Sequence, residues 1–184
     1  MRRIMFVEAA MITLGRHLAA VALLPFVMTV IVPAYVARES GTVLALGDGW
    51  PKIAAQIAGL LTVLTGLTLF LSSLRRFATE GKGTLAPWDP PRNLVVQGPY
   101  RYVRNPMISG VVFILFGEAL VLLSGAHFMW ALAFLGANVI YIPLAEEPQL
   151  LNRFGAAYVT YCRHVPRLVP RLHPWQPQDQ KDVV

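Results

Sequence analysis

Everything in this chain is arranged around Gly98-Pro99-Tyr100-Arg101-Tyr102-Val103-Arg104-Asn105-Pro106, a polar stretch that ends where a long apolar run begins. Its prolines restrict the backbone and remove amide donors. Its arginines and tyrosines offer positive charge and aromatic surface. Rigid, cationic and aromatic residues at the mouth of an apolar segment indicate a binding site rather than a linker.

The composition indicates a polytopic membrane protein. Of the 184 residues, 55% are hydrophobic and 14% are charged, whereas about 25% are charged in a typical soluble domain. The net charge of +6 does not indicate nucleic-acid binding, because the basic residues lie in loops that flank apolar blocks. Cys162 is the single cysteine, so neither an intramolecular disulfide nor a cysteine-based metal site is expected, and no metal site is predicted.

Four apolar blocks predict membrane-spanning helices at residues 17–36, 53–74, 107–124 and 127–145. Small residues in the second block suit close helix packing, namely Gly59, Thr62, Thr65 and Gly66. Segments 37–52 and 75–106 are predicted as loops. Residues 149–164 predict an amphipathic helix, because apolar side chains recur at helical spacing, at Leu150, Phe154, Tyr158 and Tyr161. The predicted fold is a single all-α integral membrane domain over residues 1–184, with four transmembrane helices plus an amphipathic C-terminal helix.

The basic residues predict the orientation in the membrane. Of the 16 lysines and arginines, only Arg38 and Lys52 lie between the first two apolar blocks. With four spans the others fall on one side, and the positive-inside rule then places both termini in the cytoplasm. This orientation also puts the Gly98–Pro106 stretch and the pair Glu146-Glu147 at the same membrane face.

A tight turn at residues 124–126 predicts an antiparallel hairpin of the third and fourth spans. The start of one helix then lies near the end of the other, so Arg104-Asn105-Pro106 meets Glu146-Glu147 at one mouth. Charges at this depth are costly unless they are paired or solvated, and they often mark functional sites. The alternative is that the arginines bind lipid phosphates and the glutamates cap a helix end.

The order and spacing of these motifs resemble the isoprenylcysteine carboxyl methyltransferase family, whose core the phospholipid methyltransferases share. The resemblance covers residues 85–171 and rests on Arg104-Asn105-Pro106, Glu146-Glu147 and the Phe-Gly…Tyr…Tyr…Val-Pro tail at 154–166. It implies an integral membrane methyltransferase of the bacterial inner membrane that uses S-adenosylmethionine. The acceptor would be a lipidic or small apolar molecule, such as the carboxylate of a prenylated cysteine.

The resemblance and the chemistry of the cofactor assign roles at this mouth. Arg104 would pair with the cofactor carboxylate, the glutamates would accept from its amino group or ribose, and Tyr100 and Tyr102 would stack on adenine or face the methyl cation. The expected catalytic residues are Arg104, Asn105 and Glu147. The expected cofactor-binding residues are Gly98, Tyr100, Arg104, Asn105, Pro106, Glu146 and Glu147.

Three departures from the family pattern affect the acceptor more than the cofactor. Asn105 stands where many members have histidine, and Ile108 stands where many have tyrosine. Eukaryotic members also carry a basic residue about one helical turn before the glutamates, where this chain has Tyr141, Ile142 and Pro143. Two other functions stay open: a non-catalytic membrane scaffold of the same fold, and a sterol-reductase-like enzyme that binds NADPH.

Five further residues carry weaker predictions. Glu118 lies in the middle of the third span, where it would either face an acceptor channel or pair internally, for example with Asn138 or a loop group. His127, Trp88, Trp130 and Trp175 are predicted to lie at the membrane interface.

Overall fold

The computed structural model describes residues 22–81 and 93–176, in which all regular structure is helical. Predictions for residues 1–21, 82–92 and 177–184 lie outside these ranges. A π-helical segment, Ala22–Ile31, continues into α1. A 3₁₀ turn, Gly98–Arg101, precedes α3, and a second π-helical segment, Ile142–Glu146, joins α4 to α5. The α-helices are α1 (Val32–Ser40), α2 (Trp50–Glu80), α3 (Pro106–Val121), α4 (Gly125–Tyr141) and α5 (Glu147–His164).

The helices extend further into the connections than the apolar blocks predict. α1 continues to Ser40 and ends at Gly41, whose φ of 67° closes the helix C-terminus. α2 begins at Trp50, with Pro51 in the first turn, where the missing amide costs nothing, and it runs to Glu80. The predicted loops at 37–52 and 75–106 are therefore too long, because hydropathy reports where a helix leaves the membrane and not where its hydrogen bonding ends.

α2 and α3 pack antiparallel along a line of glycines. Gly59 and Gly66 of α2 are buried, and they face Gly117 and Gly110 of α3 respectively. A Cβ atom at Gly66 would lie 2.6 Å from the carbonyl oxygen of Gly110, and one at Gly117 would lie 2.7 Å from that of Gly59. The predicted packing role of the two α2 glycines is confirmed. The two threonines of the same block instead donate to carbonyls of their own helix.

His127 ties α4 to the first helix and is not interfacial, contrary to the prediction. Its side chain is 1% exposed. Nδ1 lies 2.9 Å from Oγ of Ser124, the N-cap of α4, and Nε2 lies 3.1 Å from the carbonyl oxygen of Pro33. Because a carbonyl only accepts, Nε2 is the protonated nitrogen.

Trp130, one turn along α4 from His127, also contacts the first helix. Its indole Nε1 donates to the carbonyl oxygen of Met28 at 3.2 Å. Met28 belongs to the π-helical segment that contains Pro25, and such irregular segments leave carbonyls for donors on neighbouring helices. Trp130 therefore makes a contact between helices that the sequence does not predict, and its place at the membrane interface stays a prediction.

α5 turns its apolar face inward, as the sequence pattern predicts. At Gly155 the backbone has φ 55° and ψ −130°, a conformation that suits glycine, and the helix bends there. The inward face belongs to a cluster formed by Leu94, Val96, Leu150, Phe154, Tyr158, Tyr161, Cys162, Val165 and Trp175.

The chain after α5 returns alongside the Gly98–Pro106 stretch. Trp175 stacks on His164, with ring centroids 5.1 Å apart, a stacking contact that the sequence did not predict, and its place at the membrane interface stays a prediction. Four backbone hydrogen bonds join the two segments: Arg104 to Pro166, Asn105 to Arg167, Arg171 to Tyr102 and Trp175 to Arg101, amide donor first. The C-terminal segment therefore fixes the entrance of α3.

Among the described residues, two helices are long and apolar enough to cross a membrane, Trp50–Glu80 and the continuous run Gly125–His164. Only 22% and 11% of their most apolar windows are buried within the protein, so their side chains face outward, as lipid contact requires. α3 has 16 residues and extends about 24 Å, less than a hydrocarbon core of about 30 Å. The apolar helices indicate a membrane protein, and the count of four spans stays a prediction.

Candidate active site

A cavity of about 710 Å³ lies where α3 begins and α4 ends, a volume in the usual range of ligand pockets. Its polar end is lined by Asn93, Tyr100, Arg104, Asn105, Glu146, Gln149 and Arg153. Its apolar end, deeper along α3 and α4, is lined by Pro25, Met28, Phe70, Val111, Trp130 and Phe134. The first helix and α2 therefore supply part of the cavity wall and do more than brace the hairpin.

Arg104 and Glu147 form an ion pair at the polar end. Arg104 Nη1 donates to Glu147 Oε1 at 2.8 Å and lies 2.8 Å from Sγ of Cys162. Arg167 approaches the same carboxylate, with Nε donating to Oε1 at 2.7 Å and Nη2 donating to Oε2 at 2.8 Å. This two-point geometry makes guanidinium–carboxylate pairs strong. The carboxylate of Glu147 therefore accepts hydrogen bonds from the guanidinium groups of both Arg104 and Arg167.

Arg104 lines the cavity, whereas Glu147 does not. Glu147 borders a separate groove together with Cys162. The Arg104 side chain is 12% exposed, and its Nε is buried with no hydrogen-bond partner among the described residues. A buried donor without a partner costs about 1–3 kcal/mol, a cost that an acceptor bound in the cavity would remove.

The adjacent glutamates have opposite environments. Burial raises the pKa of Glu146, which lines the cavity; the charge of Glu147 raises it further and Arg104 partly offsets both. The hydrogen bond from Arg167 lowers the pKa of Glu147 and outweighs the effect of burial, with the charges of Arg104 and Arg167 acting in the same direction. The pair therefore divides into a carboxyl group that faces the cavity and an ion-paired carboxylate outside it.

Three other predicted site residues, Tyr100, Asn105 and Pro106, also line the cavity. The carbonyl of Tyr100 accepts a hydrogen bond from the Tyr161 hydroxyl at 2.7 Å. Burial raises the pKa of the Tyr100 phenol above its ordinary range, so the phenol is a neutral donor at physiological pH.

Gly98 and Tyr102 are not among the cavity-lining residues. Gly98 has φ 56°, and a Cβ there would lie 3.2 Å from Nε of Arg76. It therefore shapes the turn against α2 instead of facing a ligand. Tyr102 contributes its carbonyl to the C-terminal segment.

Within residues 22–81 and 93–176, neither predicted role of Glu118 is found. Glu118 does not line the cavity, and its Oε2 is buried with no partner among the described residues. The side-chain amide of Asn138, the predicted partner, donates instead to the carbonyl of Phe134 on its own helix.

Sequence reasoning missed cavity residues on two segments, Asn93 before the 3₁₀ turn and Gln149, Arg153, Tyr158 and Tyr161 on α5. The amphipathic pattern of α5 contained the signal for the tyrosines, because a buried phenol needs a polar partner. The sequence predicts that helix 149–164 closes the pocket from the cytosol, and its residues do line the cavity, but the pattern does not single out these four side chains.

The Glu147 ion pairs predict a specific dependence of stability on pH. The pKa of Glu147 lies below its ordinary value of 4.5, so the pairs stabilise the fold above that pH and lose their effect as the pH falls through the lowered pKa. Glu147→Gln should cost about 2 kcal/mol near neutral pH and progressively less under acid conditions. Thermal unfolding in detergent between about pH 7 and pH 3 measures the difference, and a difference that stays constant would contradict this account.

Comparison with known proteins identifies the family. A profile described as phospholipid methyltransferase matches residues 54–157, more than half of the chain. The chain belongs to the phospholipid methyltransferase family. This confirms the resemblance drawn from Arg104-Asn105-Pro106 and Glu146-Glu147. The matched range contains every site residue predicted from the sequence, whereas Arg167 lies beyond its end.

One relative is methanethiol S-methyltransferase 2 of Bradyrhizobium diazoefficiens, which is 42% identical to this chain over 76 residues. The aligned part covers 40% of this chain and 27% of that protein, so the match spans about a quarter of the relative's length. No solved structure matches the chain.

Proposed function

We propose that the protein is an integral membrane methyltransferase that uses S-adenosylmethionine and acts on a lipidic or small apolar acceptor. The observation that carries the proposal is the cavity, which joins a polar wall containing Arg104 and Glu146 to an apolar end between the helices. Family membership supports the reaction class.

The polar end of the cavity fits S-adenosylmethionine, which carries a carboxylate, an amino group, ribose hydroxyls and a sulfonium. Arg104, with its buried and unpaired Nε, suits the carboxylate. Glu146 suits the amino group or the ribose, and the rings of Tyr100 and Tyr158 suit adenine. When bound, this compound supplies an electrophilic methyl group.

The residues of the chain would bind the methyl donor and the acceptor and align them for transfer. Methyl transfer is an in-line displacement, in which alignment and electrostatics supply most of the rate. Asn105 lines the cavity, and its backbone N–H donates to the carbonyl of Arg167, which fixes the backbone at this position. Glu147 acts through Arg104, which it holds at the wall, and does not touch the ligand. The apolar end excludes water from the reacting groups.

The apolar end favours an acceptor without a phosphate group. Ile108 lines the cavity, and the cations that line it among the described residues, Arg104 and Arg153, both lie at the polar end. The relative is by name a methyltransferase of methanethiol. A small thiol is therefore a second candidate acceptor, beside the carboxylate of a prenylated cysteine. Each offers one nucleophilic atom attached to an apolar group.

We also propose four spans, with both termini in the cytoplasm of a bacterial inner membrane. Arg76 of α2 lies beside Gly98, Arg101 donates to Trp175, and Arg104 pairs with Glu147, so basic residues of α2 and of the Gly98–Pro106 stretch meet the C-terminal segment and α5 at one end of the helices. A common basic end is what the positive-inside rule requires of the cytoplasmic side.

A labelled-methyl transfer assay tests the proposed function. Detergent-purified protein should transfer label from S-adenosylmethionine to methanethiol or to a prenylated cysteine, and less to phosphatidylethanolamine. Binding of NADPH in place of S-adenosylmethionine would favour a sterol-reductase-like enzyme. A folded protein that binds neither compound would favour a non-catalytic scaffold.

A further inference from the structure

Two guanidinium groups share one carboxylate at the edge of the cavity. Arg167 engages both oxygens of Glu147, at 2.7 and 2.8 Å. Arg104 therefore makes a single contact with Oε1, at 2.8 Å. When all three side chains are charged, the cluster carries one surplus positive charge, and Arg104 is its member that lines the cavity.

We infer that Arg167 is a positioning residue that keeps the charge of Arg104 available to an anionic group bound in the cavity. Without Arg167, Glu147 would have both oxygens free for the guanidinium of Arg104. The two would form a neutral two-point pair, and the attraction of the cavity wall for an anion would fall. This inference rests on the proposed function, since the anion is the carboxylate of S-adenosylmethionine.

Arg167 is well placed for this role and poorly placed for ligand contact. Its side chain is 36% exposed and does not line the cavity. Its backbone carbonyl accepts from the backbone N–H of Asn105, so one residue both fixes the entrance of α3 and occupies both carboxylate oxygens of Glu147. The other charged residues nearby, Glu146 and Arg153 in the cavity wall and Arg163 in the groove that Glu147 borders, are the same with and without Arg167, so they do not produce the expected difference.

Calorimetric titration with two nucleosides tests the inference without relying on turnover. S-adenosylhomocysteine has the carboxylate and 5′-methylthioadenosine lacks it. Arg167→Gln should weaken binding of S-adenosylhomocysteine about tenfold and leave binding of 5′-methylthioadenosine unchanged. Arg167→Lys, which keeps the charge without the planar fork, should be intermediate. Arg171→Gln is the matched control, because it removes the same charge from the same segment and makes no contact with Glu147.

A double variant separates positioning from simple structural support. In Arg167→Gln/Glu147→Gln the guanidinium of Arg104 is no longer neutralised, so S-adenosylhomocysteine should bind more tightly than in Arg167→Gln alone. A double variant that binds no better than the single one would overturn the inference, as would equal weakening of both nucleosides. Wild-type protein that binds neither nucleoside would instead overturn the proposed function, and the inference with it.

Discussion

Replacing Arg104 by alanine is expected to lower kcat/KM for methyl transfer by about 100-fold or more. Arg104 lines the cavity with a buried, unpaired Nε, so its loss removes the charged donor that we assign to the cofactor carboxylate. The fold should survive, because Arg167 still pairs with Glu147 through two hydrogen bonds. Initial rates with a labelled methyl donor, at several donor concentrations, measure the effect.

Two variants control this experiment. Arg104→Lys keeps the charge but loses the planar fork, and should lie between wild type and alanine. Arg75→Ala removes an exposed arginine from the end of α2 and should leave the rate unchanged. Wild-type kinetics in Arg104→Ala would place the site elsewhere in the molecule.

Replacing Gly66 by leucine is expected to destabilise the protein by about 3 kcal/mol or more. A Cβ at Gly66 would lie 2.6 Å from the carbonyl oxygen of Gly110 and 2.9 Å from the amide nitrogen of Ile114. Both are backbone atoms, so no change of side-chain rotamer relieves the clash and α2 must move away from α3. The midpoint of thermal unfolding in detergent measures the loss.

Gly136→Leu provides the matched control, because Gly136 lies within α4 and a Cβ there meets nothing within 4 Å. The substitution also raises helix propensity, so stability should stay at or above that of wild type. An equal loss in both variants would show that a general response to leucine, and not the contact of α2 with α3, is responsible.

The parts of this structure that could be predicted from sequence depend on local chain properties. Apolar blocks place the helices, and a short turn forces α3 and α4 into a hairpin. That hairpin is enough to bring Arg104 towards Glu147, which the ion pair at 2.8 Å confirms.

The sequence could not predict which side chains face the cavity, because this depends on the rotational position of each residue around its helix axis. The π-helical segment Ile142–Glu146 fits extra residues into each turn and therefore shifts the phase of everything that follows. The apolar pattern of the fourth span consequently does not tell which of Glu146 and Glu147 faces the cavity. The π-helical segment around Pro25 likewise contains the Met28 carbonyl that accepts the hydrogen bond from Trp130.

Arg167 could not be predicted for a different reason. It lies 20 residues from Glu147, beyond the end of α5, and no periodic pattern connects the two. The return of the C-terminal segment along Tyr102 and Arg104 is carried by backbone hydrogen bonds, which any sequence except proline can make.

Calorimetric titration of S-adenosylmethionine into the folded, detergent-purified protein tests the central claim most directly. We predict saturable binding of one S-adenosylmethionine per chain that is lost in Arg104→Ala and kept in Arg75→Ala, with no saturable heat from NADPH. Absence of binding to a wild-type protein shown to be folded, or binding that Arg104→Ala leaves intact, would contradict the account.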